Sequence, residues 1–469
     1  MTKLVGKTSL SNMNPKQTEM GTEPVGKLLL RLALPAISAQ IVNTLYNIVD
    51  RIYIGHIPET GAMALTGVGV TFPLILLISA FSSLIGMGGA PLAAIKMGEG
   101  KLDSAEELLS QSAGSLMLLS VVLTGLFLTF QKPLLLAFGA SSDTLGYATE
   151  YLTIYLAGTF FVQLCLGLNP FISTQGFAKT SMMTVLIGAA LNIGLDPLFI
   201  FTFGMGVKGA ALATVISQTV AAAWVVSFLR GSRTRLKLRL SKLRPSRKVM
   251  LPVLALGISP FVMQSTESLV GVILNATLQR TGGDLAVGSM TIVNSVMLFI
   301  VMPLQGLGQG GQPIISYNFG AGNSARVKQA FKLLLISCFS FSSVMCVSAL
   351  LFPRVFISLF SKDPVLIEPT VRAMRIFLAG MFMMGVQFAC QQSFIALGQA
   401  KISLFLALLR KIVLLIPLVL ILSRTKLGMT GVFLAEPIAD ILAAGTTAVL
   451  FFSKFDKILA AGPMSNTPR

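Results

Sequence analysis

Five carboxylic acids of this 469-residue chain lie inside long apolar segments, where a charge is costly. A carboxylate at the centre of a bilayer costs about 3 kcal/mol or more unless it is paired, hydrated or protonated. Such acids are expected to bind a cation, a proton or a basic partner, and they are therefore the first candidates for function. They are Asp50, Asp196, Glu267, Glu436 and Asp440.

Asp196 lies in the segment LNIGLDP, four residues after Asn192, so that both side chains share one face of a helix. A hydroxyl from the next helix, with Thr214 well placed, would complete an oxygen cage of the kind that hard cations prefer. The same pocket could hold a proton, because burial disfavours the charged form of a carboxyl group. The pattern therefore predicts a site for Na⁺ or H⁺.

Asp50 ends the apolar run LYNIVD, and Tyr46 lies one helical turn earlier on the same face. Two interpretations are open: Asp50 is part of a functional site, or it forms a local ion pair with the adjacent Arg51.

Glu436 and Asp440 form a second pair with a spacing of four, for which a structural role and a coupling role are both open.

Candidates for substrate binding lie in the second half of the chain. Glu267 has polar neighbours, including Gln264, and is either the counter-charge for a cationic substrate or a satisfied packing residue. Methionine is flexible and polarisable, which suits a pocket that accepts many shapes. Met290 and Met297 are therefore further candidates, with hydrophobic packing as the alternative. The only histidine, His56, and four cysteines without CxxC spacing offer no metal or His-based catalytic site.

The elements that position these side chains follow from the composition. Hydrophobic residues make up 54% of the chain and charged residues 12%, with a mean hydropathy of +0.80, whereas roughly a quarter of an ordinary soluble domain is charged. A bilayer core of about 30 Å needs on the order of 20 apolar residues per helix. Twelve stretches meet this requirement and predict an all-α membrane protein: residues 28–54, 64–95, 107–131, 147–172, 180–203, 209–229, 250–279, 286–317, 328–353, 369–396, 402–423 and 429–453.

The net charge of +18 is unevenly distributed. Nine Lys and Arg residues and no acid lie between residues 230 and 248. Because cytoplasmic loops carry an excess of basic residues, we predict a cytoplasmic linker over 230–249. Both termini then lie in the cytoplasm, as tails over 1–27 and 454–469. The basic segment is interpreted as a topology signal that touches anionic lipid headgroups rather than as a nucleic-acid site.

The chain repeats itself at a shift of 222 residues without a gap. The segment GMGGAP at 86–91 falls on GQGGQP at 308–313, and LAL at 32–34 falls on LAL at 254–256. Six helices per half is an even number, so that both halves have the same orientation. The repeat predicts a first lobe over 28–229 and a second over 250–453, related by a pseudo-two-fold axis, as in transporters that open to one side at a time. The glycine-rich segments are places where helices approach closely or bend.

Taken together, these segments resemble the multidrug and toxic compound extrusion (MATE) family, and within it the bacterial MepA-like and DinF-like transporters. The resemblance extends from LALPAISAQIVNTLYNIVDRIYIG through GMGGAP and STQGFAKTS to LNIGLDPLFIF, and again in the second half. It implies two six-helix lobes that form a V around a central cavity. It also implies a cation site in the first lobe, at Asp50, Asn192, Asp196 and Thr214, with Tyr46 and Asn169 as polar neighbours.

Other members of the family place coupling acids in the second lobe, on the seventh and tenth helices. Glu267 resembles the first of these acids, but Gln387 stands where the second, an aspartate, is expected. This departure favours the first lobe as the coupling site and leaves Gln387 as a candidate substrate contact.

The sequence thus predicts a monomeric, multi-pass protein of the bacterial cell membrane. It would export cationic, amphipathic drugs or dyes in exchange for H⁺ or Na⁺ by alternating access, in contact with lipids and without a cofactor or nucleic acid. The alternative is a flippase for lipid-linked oligosaccharides, which usually needs a cationic cavity for pyrophosphate. An enzyme is disfavoured, because the chain has no P-loop, metal motif or nucleophile elbow.

Overall fold

The computed structural model describes residues 15–360 and 363–463. Most of the predicted N-terminal tail, residues 1–14, and the end of the predicted C-terminal tail, residues 464–469, lie outside the described residues. Every regular element of the described chain is a helix.

Apolar helices long enough to cross a bilayer follow one another along the described chain. They match the twelve predicted stretches in order and are numbered accordingly. Span 1 is Val25–Gly55, span 2 Gly61–Gly98, span 3 Leu102–Ala137, span 4 the pair Leu145–Ala157 and Thr159–Thr174, span 5 Ala178–Thr202, span 6 Val207–Arg230, spans 7 and 8 the helix Arg247–Gly320, span 9 Ser324–Leu351, span 10 Pro364–Ala396, span 11 Ala400–Leu422 and span 12 Gly428–Ala461.

The 74-residue helix Arg247–Gly320 contains two crossings, because the chain reverses within it. Gly283 is the one position inside this helix with non-helical angles (φ 63°, ψ −160°), which glycine adopts without steric cost. On either side of this break, Gly257 and Gly320 pack against Leu84 and Ile95 of the same helix, span 2. Spans 7 and 8 therefore run back along each other, as predicted from the two separate apolar stretches.

Three spans depart from regular α-helix. Span 4 is bent by 60° between its two helices. Span 5 ends in the π-helical turn Leu198–Thr202, which follows Asp196 and Pro197, and span 11 contains the π-helical turn Leu409–Leu415, which includes Arg410 and Lys411. π-turns are frequent at functional sites. Both of these turns lie beside ionisable residues within the membrane.

Each half of the chain packs around its own buried apolar side chains. Two clusters belong chiefly to spans 1 to 6, and a larger one joins spans 7 to 12. The beginning of span 1, including Leu28 and Leu32, packs into the cluster of the second half. The two halves are thus separate six-helix lobes that are held together at one end.

Glycines on spans 2, 7 and 8 form the contact between the lobes. A Cβ atom added to Gly257 would lie 1.7 Å from the carbonyl oxygen of Leu84, and one added to Gly310 would lie 2.6 Å from the Cα atom of Ala33. Backbones come this close only where the side chain is a hydrogen atom. Gly88 packs in the same way against Val253, at 2.2 Å from its carbonyl oxygen. The prediction that GMGGAP and GQGGQP allow close approach is confirmed.

The segment before span 1 covers the same end of the lobe contact. Met20 is 2% exposed, and its carbonyl oxygen accepts hydrogen bonds from Asn318 (3.0 Å) in span 8 and Arg326 (3.2 Å) in span 9. Glu23 forms an ion pair of 2.8 Å with Arg31 of span 1. This segment thus joins the two lobes at the end where the linker between spans 6 and 7 also lies.

We expect Gly257→Ala to weaken closure of the lobes at this end by about 1–3 kcal/mol, because the added methyl group overlaps the Leu84 carbonyl. Gly271→Ala on the same span is the matched control, since a Cβ atom there meets nothing within 4 Å. Thermal unfolding and the distance between spin labels at the linker-side ends of spans 2 and 8 measure the effect. A Gly257→Ala protein with the wild-type Tm and distance would contradict the assignment.

Candidate cation site and buried ion pairs

Two predicted acids of the first lobe meet in its interior. Asp50 of span 1 is 9% exposed and Asp196 of span 5 is fully buried. Their carboxyl groups lie within hydrogen-bonding reach of each other. Two acids that are far apart along the chain are thus neighbours in the fold.

Asn192 connects this pair to span 6. Its side-chain amide donates to Oδ1 of Asp196 (3.2 Å) and approaches Oγ1 of Thr214 (3.3 Å). The spacing of four between Asn192 and Asp196 places both on one helix face, as predicted. The structure therefore brings together Asp50, Asn192, Asp196 and Thr214.

Several oxygens of this group have no hydrogen-bonding partner among the residues that the structure describes. They are Oδ1 of Asp50, Oδ1 of Asn192 and Oδ2 of Asp196, all of them buried. Buried polar atoms are nearly always satisfied, and carboxylate, amide and hydroxyl oxygens are the ligands of hard cations. The arrangement can hold a cation between the carboxylates or a proton shared by them.

The alternative of a local ion pair at Asp50 is not supported. The guanidinium group of the adjacent Arg51 is exposed and stacks over the ring of Phe72, 4.8 Å from its centroid. Among the described residues, no Lys or Arg forms a salt bridge with Asp50 or Asp196. Arg51 therefore acts on Asp50 through its electrostatic field and not through a salt bridge.

The polar neighbours implied by the family resemblance are placed differently. Tyr46 lies close enough to Asp50 and Asp196 to interact electrostatically with both. Asn169 instead donates to the carbonyl oxygen of Ser181 (3.3 Å). Ser181 precedes Asn192 by eleven residues, which is about 16 Å along a helix. Asn169 therefore lies away from Asp50 and Asp196, whereas the family resemblance implied that it is a polar neighbour of their site.

Two tyrosines at this site were missed by sequence reasoning. Tyr151 of span 4 contacts the hydroxyl of Thr214 and interacts with the charge of Asp50. Its ring is stacked on that of Tyr155, with centroids 6.4 Å apart. A buried tyrosine needs a hydrogen-bonding partner for its hydroxyl group. The two tyrosines of the segment YLTIY, four residues apart on one helix face, therefore indicated a polar site in the sequence.

The acids of the second lobe are bound to basic side chains. Arg410 of span 11 donates to Asp440 (2.7 Å) and to Glu436 (3.0 Å) of span 12. All three side chains are at least largely buried. Of the two roles left open for Glu436 and Asp440, the structure favours the structural one. Arg410 was overlooked in the sequence, although a basic residue inside the apolar run LFLALLRKIVLLIPL is unusual.

The predicted substrate residues of the second lobe fall into two groups. Glu267 is bound to Lys411, and Gln387 lines a cleft beside Lys411. Gln264 accepts a hydrogen bond from Ser83 of the first lobe (3.1 Å). The methionines are different: Met290 is 1% exposed in the hydrophobic core, and Met297 packs against that core. Their positions favour the packing alternative.

A protein of twelve spans in two repeated lobes, with acids buried between helices, is a membrane transporter by architecture. The MatE family model matches residues 35–198 and again residues 260–421, one match in each lobe. Multidrug export protein MepA of Staphylococcus haemolyticus is 26% identical over 427 residues, which is 91% of this chain and 93% of that protein. Multidrug export protein MepA of Staphylococcus aureus is 26% identical over 436 residues, or 93% and 95% of the two chains.

Among solved structures, an outward-facing multidrug resistance MATE family transporter has a TM-score of 0.88 at 24% identity, covering 95% of this chain and 99% of that one. Since the family model matches well over half of the sequence, this chain belongs to the MatE family of multidrug efflux transporters. The predicted MATE fold is thereby confirmed, and the protein is a multi-pass transporter of the bacterial plasma membrane rather than an enzyme.

We expect Arg410→Met to lower the free energy of unfolding by about 3–5 kcal/mol, because it leaves two buried carboxylates without a counter-charge. The triple variant Arg410→Met, Glu436→Gln, Asp440→Asn removes all three charges and should recover most of the loss. Thermal unfolding in detergent measures both. If the single variant were as stable as the wild type, the three residues would not form a structural ion group.

Proposed function

We propose that this protein exports cationic, amphipathic organic compounds in exchange for H⁺ or Na⁺, and that Asp50 and Asp196 carry the coupling ion. The observation that supports this most directly is that two buried carboxyl groups are neighbours and neither forms a salt bridge within residues 15–360 and 363–463. Two adjacent carboxyl groups cannot both remain ionised unless a cation or a shared proton offsets the repulsion between their negative charges. The pair is therefore suited to take up a positive charge and to release it when water gains access.

Exchange requires that the ion and the organic compound favour different arrangements of the lobes. A ligand shifts an equilibrium between two states only by the difference in its affinity for them. Ion binding holds Asp50 of span 1 against Asp196 of span 5, and span 1 also packs against the second lobe through Ala33 and Gly310. Occupancy of the carboxyl pair is thus linked mechanically to the lobe contact.

The flippase alternative is less well supported. A pyrophosphate-linked substrate needs basic side chains that are free to bind it. In the described part of the spans, the deeply buried basic groups Arg410 and Lys411 are both bound to carboxylates. The names of the relatives, which are multidrug export proteins, also favour drug export.

We further propose that the linker over 230–249 and both termini lie in the cytoplasm, since the basic residues concentrate there. The contact between the lobes then lies on the cytoplasmic side. With the lobes closed at that side, the described conformation is the outward-facing one.

Labelling with a membrane-impermeant maleimide tests this orientation. Arg233→Cys in the linker should react only after the cells are permeabilised, whereas Asp143→Cys between spans 3 and 4 should react in intact cells; both positions are exposed. The native cysteines are all buried and serve as the background. The reverse pattern of labelling would invert the orientation.

We expect Asp50→Asn and Asp196→Asn each to reduce ion-driven ethidium efflux by about tenfold or more, because an amide cannot take up H⁺ or replace a carboxylate on Na⁺. The assay uses proteoliposomes with either a pH gradient or a Na⁺ gradient imposed alone, which also identifies the coupling ion. Asp143→Asn, on an exposed loop, is the matched control and should transport normally. Unchanged efflux in the double variant Asp50→Asn, Asp196→Asn would refute the proposed coupling site.

A further inference from the structure

The pair of Lys411 and Glu267 in the second lobe is not explained by the coupling site. The ammonium group of Lys411 contacts the Glu267 carboxylate and donates to the carbonyl oxygen of Met263 (3.3 Å). The two side chains differ in exposure: Lys411 is 9% exposed and Glu267 is 67% exposed. A buried cation is thus joined to an anion that faces open space.

Glu267 faces the space between the lobes. Gln264 precedes it by three residues on the same side of span 7, and Gln264 accepts a hydrogen bond from Ser83 of span 2. Since Ser83 belongs to the first lobe, this side of span 7 is turned towards that lobe. The Glu267 carboxylate is therefore accessible from the cleft between the lobes, next to the point where they meet.

The ammonium group lies at a cleft between spans 7, 10 and 11 that contains unused acceptors. Gln391 is 4% exposed, and neither its Oε1 atom nor the buried Oε1 atom of Gln387 has a hydrogen-bonding partner in the described part of the chain. Two unsatisfied oxygens in the cleft that Lys411 lines, together with the Glu267 carboxylate that Lys411 binds, suit a ligand that is cationic and carries N–H donors. The apolar wall of this cleft consists of Met263, Met384, Phe388, Leu406 and Ala407.

The other charges around Lys411 are already engaged. Arg410 on the same span binds Glu436 and Asp440 of span 12, and span 10 contributes only the neutral amides of Gln387 and Gln391. On span 7, Glu267 is the facing acid. An organic cation that binds the Glu267 oxygen held by Lys411 takes the position of the ammonium, which is then left buried without its carboxylate partner.

We propose that the Lys411 ammonium occupies the position at Glu267 where the substrate's positive charge binds. An organic cation with N–H donors displaces the ammonium from Glu267, and Lys411 releases one proton as it leaves. The N–H bond of the ammonium breaks, its electron pair stays on the lysine nitrogen, and the proton leaves to water in the cleft. The ligand's positive charge replaces that of the ammonium, so the net charge of the site is unchanged. This inference rests on the proposed export of cationic compounds and names where they bind; it does not depend on which ion the first lobe couples.

The exchange makes different demands on lysine and arginine. A lysine can give up its proton in a buried site, whereas a guanidinium group stays charged. Lys411→Arg should therefore keep Glu267 occupied and weaken binding of ethidium, which carries amino groups, by about tenfold or more, or 1.4 kcal/mol. Lys411→Met should leave Glu267 free, so that ethidium still binds but no proton is released at this site.

Calorimetric titration of the purified full-length protein with ethidium, in two buffers that differ in ionisation enthalpy, measures both affinity and proton release. The titration is done in the Asp50→Asn, Asp196→Asn background, so that protons from the first lobe do not contribute. We expect about one proton per bound ethidium with Lys411 present, since the exchange is one for one, and none with Lys411→Met. Lys411→Gln, which can still donate to Met263, should behave like Lys411→Met if the Met variant is unstable.

Lys454→Arg, at an exposed position of span 12, is the matched control and should bind ethidium as before. Equal affinity of the Lys411→Arg protein and its parent, or undiminished proton release from both Lys411→Met and Lys411→Gln, would overturn the proposal. Failure of ion coupling would appear instead in the proteoliposome assay, because the titration measures binding without any gradient.

Discussion

An ionised carboxylate inside a bilayer must have a partner, and the five intramembrane acids of this transporter have partners of two kinds. In the first lobe, Asp50 and Asp196 are neighbours and form no salt bridge with a base of the described chain, so that a bound cation or proton is needed to balance the pair. In the second lobe, Arg410 binds Glu436 and Asp440, and Lys411 binds Glu267. One lobe thus depends on a mobile charge, and the other contains its own.

The two lobes differ in their charged residues, although the sequence repeat preserves the glycine-rich segments in both. At the shift of 222 residues, the glycines of GMGGAP fall on those of GQGGQP, but Asp50 falls on Val272, Asp196 on Leu418 and Arg410 on Gly188. The positions that bring backbones together have therefore been kept in both halves, and the charged positions have not. Two lobes with one fold can in this way perform different tasks during a transport cycle.

Backbone atoms make part of the contact between the lobes. Because Gly257 and Gly310 place main chains against each other, their packing is sensitive to any added side chain. The segment around Met20 and Glu23 accepts hydrogen bonds from the second lobe at the same end, and its ion pair with Arg31 fastens it to span 1. Opening of the transporter at this end must therefore break the bonds that Asn318 and Arg326 donate to this segment.

The amino-acid sequence by itself determined the number and order of the spans, because each crossing needs its own run of apolar residues. It also determined the repeat and the local pairing of Asn192 with Asp196, since a spacing of four defines one face of a helix. Only the tertiary structure decided that Asp50 meets Asp196 and that Arg410 and Lys411 bind different acids. It also decided that Asn169 lies away from the carboxyl pair and that Met290 is buried in the core. These outcomes depend on the rotation and depth of each helix relative to its neighbours. In a membrane the hydrophobic pattern of the sequence determines this rotation and depth poorly, because lipid and the adjacent helix are equally apolar. Close packing between small residues and hydrogen bonds between helices determine them instead.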